Sequence, residues 1–206
     1  DVETESKRIR AAVAKLASQR VRGWIIDLRY NRGGNMNPMM AGLGPLIGDG
    51  MVGSLVDLNG QKQFDWEIKD GNFVYGGSQV VSLPHQPRFA TPPPIAVLTS
   101  RWTASSGEVV ATALADRPNT RFFGEATGGF TTNTGWEVLA NQVIVVISTG
   151  VFANRSGTVY RENIPVDVEL PFEPGLVPRR DPAVNAARNW LREVTGREEG
   201  APPPVD

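Results

Sequence analysis

The sequence predicts an α/β fold in layers, with a mixed β-sheet flanked by helices and one additional β-hairpin. Short apolar runs at 24–28 and 95–99 are each followed by a polar turn and then by apolar residues at helical spacing. The run 142–157 is expected to form the hairpin. With 206 residues and 40% hydrophobic content, the chain can bury a sizeable core. We therefore expect a single domain over 1–196.

Helices and strands alternate along the chain. Apolar residues at helical spacing predict helices at the beginning of the chain and after the first strand: Ile9, Val13 and Leu16, and then Met36, Met39, Met40 and Leu43. Further helices are expected to begin near Ser105 and to cover 182–194. The remaining apolar runs predict strands at 51–56, 64–68, 80–83 and 121–123. The tail 197–206 is charged and proline-rich, which predicts disorder.

Composition narrows the possible functions. A net charge of −1 disfavours binding to nucleic acid or to an anionic membrane surface. The chain has no cysteine and one histidine, so thiol chemistry and a metal site are not expected. No apolar run reaches membrane-spanning length, and the first residues do not resemble a signal peptide.

The candidate chemistry lies at two strand–turn–helix crossings, 24–35 and 95–108. Ser105 and Ser106 stand where the second helix begins, and its free N–H groups can stabilise an oxyanion. The same serines can simply cap that helix, and the pair Gly33–Gly34 can simply shape a turn. From spacing alone, both interpretations stay open.

Four motifs in order resemble the C-terminal-processing (tail-specific) serine peptidases. "IIDLRYNRGG" resembles their Asp-Leu-Arg-x-Asn-x-Gly-Gly signature, and "TASSGE" stands where they carry Ser-Ala-Ser-Ala-Ser-Glu. "FGEATGG" resembles their Gly-Glu-x-Thr segment, and "YRENIPVDVEL" resembles the late motif of tricorn-like members. "GGNMNPMMAGLGPLIGDG" is closer to the nisin-resistance branch. The resemblance implies a layered core like that of crotonase and ClpP.

The resemblance assigns the nucleophile to Ser105. It implies that the Ser106 N–H forms half of an oxyanion hole, with the N–H of Gly33 or Gly34 as the other half. Ser106 itself is the weaker candidate nucleophile, because helical register turns its side chain away.

Other motif residues receive supporting roles. Glu108 either orients polar groups or meets the amine end of the substrate, or it only closes a capping box. Glu125 and Thr127 are expected to shape the cleft wall. Asp27 and Arg29 are expected to anchor the first turn.

The sequence differs from the best-known members of this peptidase family at the position of the general base. Their lysine falls on Phe130 here, so Phe130 is expected to be a wall residue and a Ser–Lys mechanism is not expected. The tricorn-like and nisin-resistance branches instead take a histidine from a region before the core, which implies a base upstream of this chain. His85, in a proline-rich connector, is expected to be dispensable. Glu162 matches a glutamate that supports the site in tricorn-like members.

The resemblance thus implies a serine endopeptidase that cleaves peptides near their C-terminus through an acyl-enzyme, without a cofactor. It also implies export from the cytoplasm, with membrane association only through a segment before this chain. Two alternatives stay open: a non-catalytic peptide- or ligand-binding relative that has lost its base, and an acyl-handling enzyme of the crotonase kind.

Overall fold

A computed structural model of the chain describes residues 1–19, 21–84 and 87–196. The helices of these residues are α1 (Val2–Ala17), α2 (Met36–Ile47), α3 (Ser106–Leu114) and α4 (Pro182–Thr195), with a 3₁₀ turn at Ala140–Gln142. The strands are β1 (Trp24–Asp27), β2 (Gly50–Val56), β3 (Lys62–Lys69), β4 (Asn72–Tyr75), β5 (Ser78–Gln79), β6 (Ile95–Thr99), β7 (Thr120–Gly124), β8 (Thr132–Val138), β9 (Ile144–Asn154), β10 (Val159–Tyr160) and β11 (Val168–Glu169).

The strands form two sheets, one parallel and one antiparallel. The parallel sheet has the order β1-β6-β7-β11. The antiparallel sheet has the order β10-β9-β2-β3-β4-β5, with β8 paired to the outer part of β9. The predicted α/β class is confirmed, with the parallel and antiparallel strands sorted into separate sheets.

Helices cover both faces of the parallel sheet, and strand β6 is therefore buried on both of its faces. Ile95 and Val97 point into a core shared with α3 and the antiparallel sheet. Ala96 and Leu98 point the other way, into a second core formed with α4. A strand buried on both faces has a continuous apolar sequence, which is why this segment was predictable. Helix α3 therefore lies between the two sheets, and every one of its residues is buried.

The strand predicted at 80–83 is wrong. Residues 80–83 form no strand, and the strand nearest to them, β5, ends at Gln79. Earlier in the chain, a turn at Asp70 and Gly71, whose φ angles are 49° and 69°, pairs β4 with β3 from Lys69 and Asn72 onward. Two consecutive residues with positive φ make a tight hairpin turn, and Asp-Gly is a preferred sequence for it. The strands predicted at 51–56 and 64–68 exist, but they belong to this antiparallel sheet and complete no β-α-β unit.

The predicted hairpin is displaced along the chain. Residues 142–157 do not fold back on themselves, because β9 runs unbroken through most of them. The hairpin lies between β8 and β9, and its turn contains Asn141 and Gln142, both with positive φ. One face of it is apolar and exposed, and the cross-strand pairs on that face are Trp136–Val146 and Val138–Ile144.

A buried arginine joins α1 to α2. Pro45 lies inside α2 and has no N–H to donate to the carbonyl of Ala41. The Arg10 guanidinium donates to that carbonyl, to the Gly42 carbonyl at 3.1 Å and to the Gly71 carbonyl at 2.7 Å. Burial lowers the pKa of Arg10 to about 10. The arginine thus replaces the missing helical donor.

Two expectations fall on residues that the structure does not describe, namely the position of His85 and the disorder of 197–206. Among the described residues, no helix has the length and apolar character needed to cross a membrane.

Candidate active site

The turns after β1 and β6 lie side by side, as the sequence predicted. The Ser106 hydroxyl donates to the Gly34 carbonyl at 2.5 Å, which ties the second turn to the first. A Cβ atom placed on Gly33 would lie 2.8 Å from the Cβ of Ser105 and 3.3 Å from its Oγ. Gly33 is therefore the residue that lets the first turn approach Ser105 so closely.

Ser105 has a strained backbone conformation, with φ 52° and ψ −118°. Residues other than glycine rarely adopt positive φ, and such strain collects at functional sites. The turn is held by a hydrogen bond of 3.0 Å from the Ala104 N–H to the Asn31 carbonyl. Gly107 completes the fit, because a Cβ there would lie 2.5 Å from the same carbonyl oxygen.

Glu108 is fully buried and holds the Ser105 turn through hydrogen bonds. Its Oε2 accepts from the Ser105 N–H at 2.8 Å, in a capping box. Its Oε1 accepts from the Thr127 hydroxyl at 2.6 Å and from the Gly129 N–H at 3.0 Å. Burial raises the pKa of Glu108, although these hydrogen bonds oppose the shift. Since no part of Glu108 is exposed, it offers no surface to the amine end of a substrate, and its hydrogen bonds join the Ser105 turn to the 127–129 loop.

Two backbone donors near Ser105 are free. Ser106 is the first residue of α3, and within the described residues neither its N–H nor that of Gly34 has a hydrogen-bond acceptor. The Gly33 N–H, by contrast, donates to the Asn31 Oδ1 at 3.1 Å. Of the two glycines, Gly34 is therefore the one whose N–H is available to a ligand within the described residues. Sequence reasoning missed Asn31, although an Asn two residues before a Gly is a common turn signal.

Arg29 anchors the first turn, as expected, but with a partner that the sequence did not indicate. Its guanidinium donates to Asp27 at 2.6 and 2.9 Å and to Asp181 at 2.5 Å. It also lies 5.0 Å from the ring centroid of Phe172. The hydrogen bonds to Asp27 and Asp181 raise the pKa of Arg29 against the effect of burial. Asp181 is also the N-cap of α4, so one buried cation joins the site to the C-terminal helix.

Glu125 and Thr127 stand behind the cleft wall. The Glu125 carboxylate accepts from the Arg101 guanidinium at 2.8 Å and from the Phe172 N–H at 3.1 Å. Burial alone would raise the pKa of Glu125, but these donors hold it below the ordinary value. Thr127 accepts from the Ile164 N–H at 2.9 Å while it donates to the buried glutamate. Both residues fix loops rather than line the space beside Ser105.

Ser105 lies between two clefts. The first has a volume of about 740 Å³, and its lining is Gly34, Asn35, Met36, Asn37, Leu55, Trp66, Tyr75, Ser105, Ser106, Val109, Thr132, Asn133, Thr134, Trp136 and Phe152. The second is shallower, with about 400 Å³, and its lining is Arg32, Arg101, Trp102, Ala104, Ser105 and Phe130. An extended peptide that crossed Ser105 would enter both.

The described lining of these two clefts contains no histidine, lysine or carboxylate. Phe130 lines the second cleft and is 63% exposed, as a wall residue would be. Glu162 is exposed and lines neither cleft, although its carbonyl lies close to Gly129 in the loop that Glu108 holds. Among the described residues, no group of three or more acidic or histidine side chains could hold a metal ion.

A serine on a strained strand-to-helix turn, beside free N–H groups, is the arrangement of hydrolases that act through an acyl-enzyme. The chain belongs to Peptidase family S41, whose family model matches residues 2–170. This match confirms the family resemblance of the motifs.

Similar proteins agree with this assignment. The chain is 31% identical over 171 residues to the nisin-resistance protein of Lactococcus lactis subsp. lactis, covering 82% of this chain and 50% of the relative. It is 31% identical over 127 residues to the carboxy-terminal processing protease CtpA of Bacillus subtilis (strain 168), covering 62% of this chain and 24% of that protein. The solved structure of a lipoprotein from Streptococcus agalactiae superposes with a TM-score of 0.71 at 26% identity, covering 94% of this chain and 62% of that one. The chain thus spans half or less of the length of these two curated relatives.

Proposed function

We propose that the chain is the catalytic core of a serine endopeptidase that cleaves peptides near their C-terminus. One observation carries the proposal: Ser105 is held on a strained turn between two clefts, with the free N–H groups of Ser106 and Gly34 beside it. Family membership and the likeness to a carboxy-terminal processing protease support the reaction class.

In the proposed reaction, the Ser105 Oγ attacks the scissile carbonyl carbon and its proton passes to a base. The carbonyl oxygen becomes an oxyanion that accepts hydrogen bonds from the N–H groups of Ser106 and Gly34. The base then returns the proton to the leaving amine as the C–N bond breaks, which leaves an ester on Ser105. Water, activated by the same base, hydrolyses that ester and restores the serine.

The proposed base is a histidine from a part of the protein that precedes this chain. The size of the relatives leaves room for it, since the chain covers 50% of the nisin-resistance protein. Glu162 is proposed to support the site from its exposed position next to the Gly129 loop. We propose no role for His85.

The proposed substrate is an extended polypeptide, bound outside the cytoplasm. The two clefts on either side of Ser105 suit an extended backbone, with the Trp136 side of the hairpin as one wall. The likeness to a protein described as a lipoprotein supports the location.

A second candidate function is peptide binding without catalysis. It is favoured by the described lining of both clefts, in which no side chain can act as a general base. The two candidates differ in whether Ser105 becomes acylated.

Labelling with a fluorophosphonate separates them. The 206-residue chain is compared with a form extended by its natural upstream sequence, and both are compared with their Ser105→Ala variants by intact mass. We expect Ser105 to be labelled at least about 100-fold faster in the extended form, since a positioned base contributes roughly 10²–10⁴. Equal rates in the two forms would place the base within this chain, and loss of labelling in His85→Ala would then identify it. An extended form that resists labelling would favour the binding function.

A further inference from the structure

The second cleft contains a cation that no carboxylate of the described residues neutralises. Arg32 is exposed, and no ion pair among the described residues includes it. Its guanidinium carbon lies 5.0 Å from the ring centroid of Trp102. This contact orients the guanidinium without satisfying its charge.

The neighbouring arginines are already engaged. Arg101 donates to both carboxylate oxygens of Glu125 at 2.8 Å. Arg29 is buried between Asp27 and Asp181. Of these three arginines, Arg32 is therefore the one that has no carboxylate partner among the described residues.

The two clefts differ in chemical character. The first mixes apolar side chains such as Trp136 with uncharged polar ones such as Asn37, and its described lining has no charged side chain. The second combines the aromatic surfaces of Trp102 and Phe130 with the Arg32 guanidinium. A guanidinium stacked on an aromatic ring presents its edge to a carboxylate, which it can bind through two parallel hydrogen bonds.

We propose that Arg32 binds a carboxylate of the substrate a few residues from the cleaved bond, so that the second cleft selects acidic peptide ends. The carboxylate belongs either to the free C-terminus or to an Asp or Glu side chain, since both offer the same bidentate acceptor. This inference rests on the proposed function, because it treats the second cleft as one half of a peptide site centred on Ser105.

Binding can be measured without catalysis in the Ser105→Ala variant. The probes are fluorescein-labelled hexapeptides of one aliphatic sequence: the free acid, the C-terminal amide, and an amide with Asp in place of its last residue. We expect the free acid or the Asp-containing amide to bind roughly five- to tenfold more tightly than the plain amide. The preference is expected to shrink at 1 M salt, where the screening length is about 3 Å.

Arg32→Gln should remove this preference, and Arg32→Lys should keep part of it. The matched control is Arg121→Gln, because Arg121 is also exposed and stacked on an aromatic ring, that of Phe123, but lines neither cleft. It should leave the preference intact. A preference that survives Arg32→Gln, equal binding of all three peptides, or no binding up to millimolar peptide would each overturn the inference. Failure of the proposed function is recognised separately, by the absence of Ser105 acylation in the parent.

Discussion

Replacing Ser105 by glycine is expected to give a more stable protein than replacing it by alanine. Both changes remove the Ser105 hydroxyl and with it the proposed nucleophile. They differ in the backbone, because alanine keeps the Cβ atom that makes φ 52° and ψ −118° unfavourable, whereas glycine adopts these angles freely.

The size of the difference follows from two opposing terms. A sparsely populated backbone conformation costs roughly 1–3 kcal/mol. Glycine loses about 0.5–1 kcal/mol more conformational freedom than alanine on folding. The net advantage of Ser105→Gly over Ser105→Ala is therefore about 1 kcal/mol, which for a domain of this size corresponds to about 2–4 °C in Tm.

Thermal and urea unfolding of the two variants measure this difference directly. Ser18 provides the matched control, because it is exposed at the end of α1 with an ordinary φ of −64°. There the glycine variant should be less stable than the alanine variant. If Ser105→Gly were no more stable than Ser105→Ala, the turn would not be strained and the conformational argument for Ser105 would fail.

Three further predictions concern Glu108, Arg10 and His85. Glu108→Gln should lower the free energy of unfolding, because an amide nitrogen would face N–H and O–H donors. Burial raises the native pKa of Glu108 above 4.5, so the stability that its proton contributes is lost as pH rises. Urea titrations should therefore show the largest difference in stability between parent and variant near pH 4, and a difference that grows toward pH 8 would contradict this. Arg10→Met should lower the free energy of unfolding by about 2–4 kcal/mol, because it leaves buried carbonyls without donors. In the same urea assay, the control Arg8→Met, on the exposed face of α1, should lower it by under about 0.5 kcal/mol. Equal losses in the two variants would refute this account of Arg10. His85→Ala should leave the rate of Ser105 labelling in the extended form unchanged, and a loss of labelling at unchanged Tm would show that His85 is the base.

The sequence predicted those parts of the fold whose signals are local. Strands β1 and β6 are short apolar runs, and the motifs that follow them contain the turns in which Gly33, Gly34 and Ser105 lie. β8 gave no such signal, because six of its seven residues form the polar-looking run "TNTGWE" and most of the strand is exposed. The strand predicted at 80–83 was wrong because Val80, Val81 and Leu83 pack against the core without forming a strand, and apolar content alone does not report strand pairing.

The tertiary parts of the site could not be predicted. Asp181 reaches Arg29 across 152 residues of sequence, and no pattern relates the two. The Glu108 side chain has the spacing of a capping box, but only the fold shows that it also binds Thr127 and Gly129. Pairing of this kind depends on burial, which a one-dimensional pattern does not report.

The Arg29–Asp181 ion pair has a practical consequence for where the domain can be cut. The family match ends at residue 170, which invites trimming the chain there. Such a fragment would lose α4, leave Arg29 with one of its two carboxylates, and open to water the apolar face formed by Ala96, Leu98 and Phe123. The smallest unit that preserves the Ser105 turn therefore extends about 25 residues past the family boundary, through Thr195 at the end of α4.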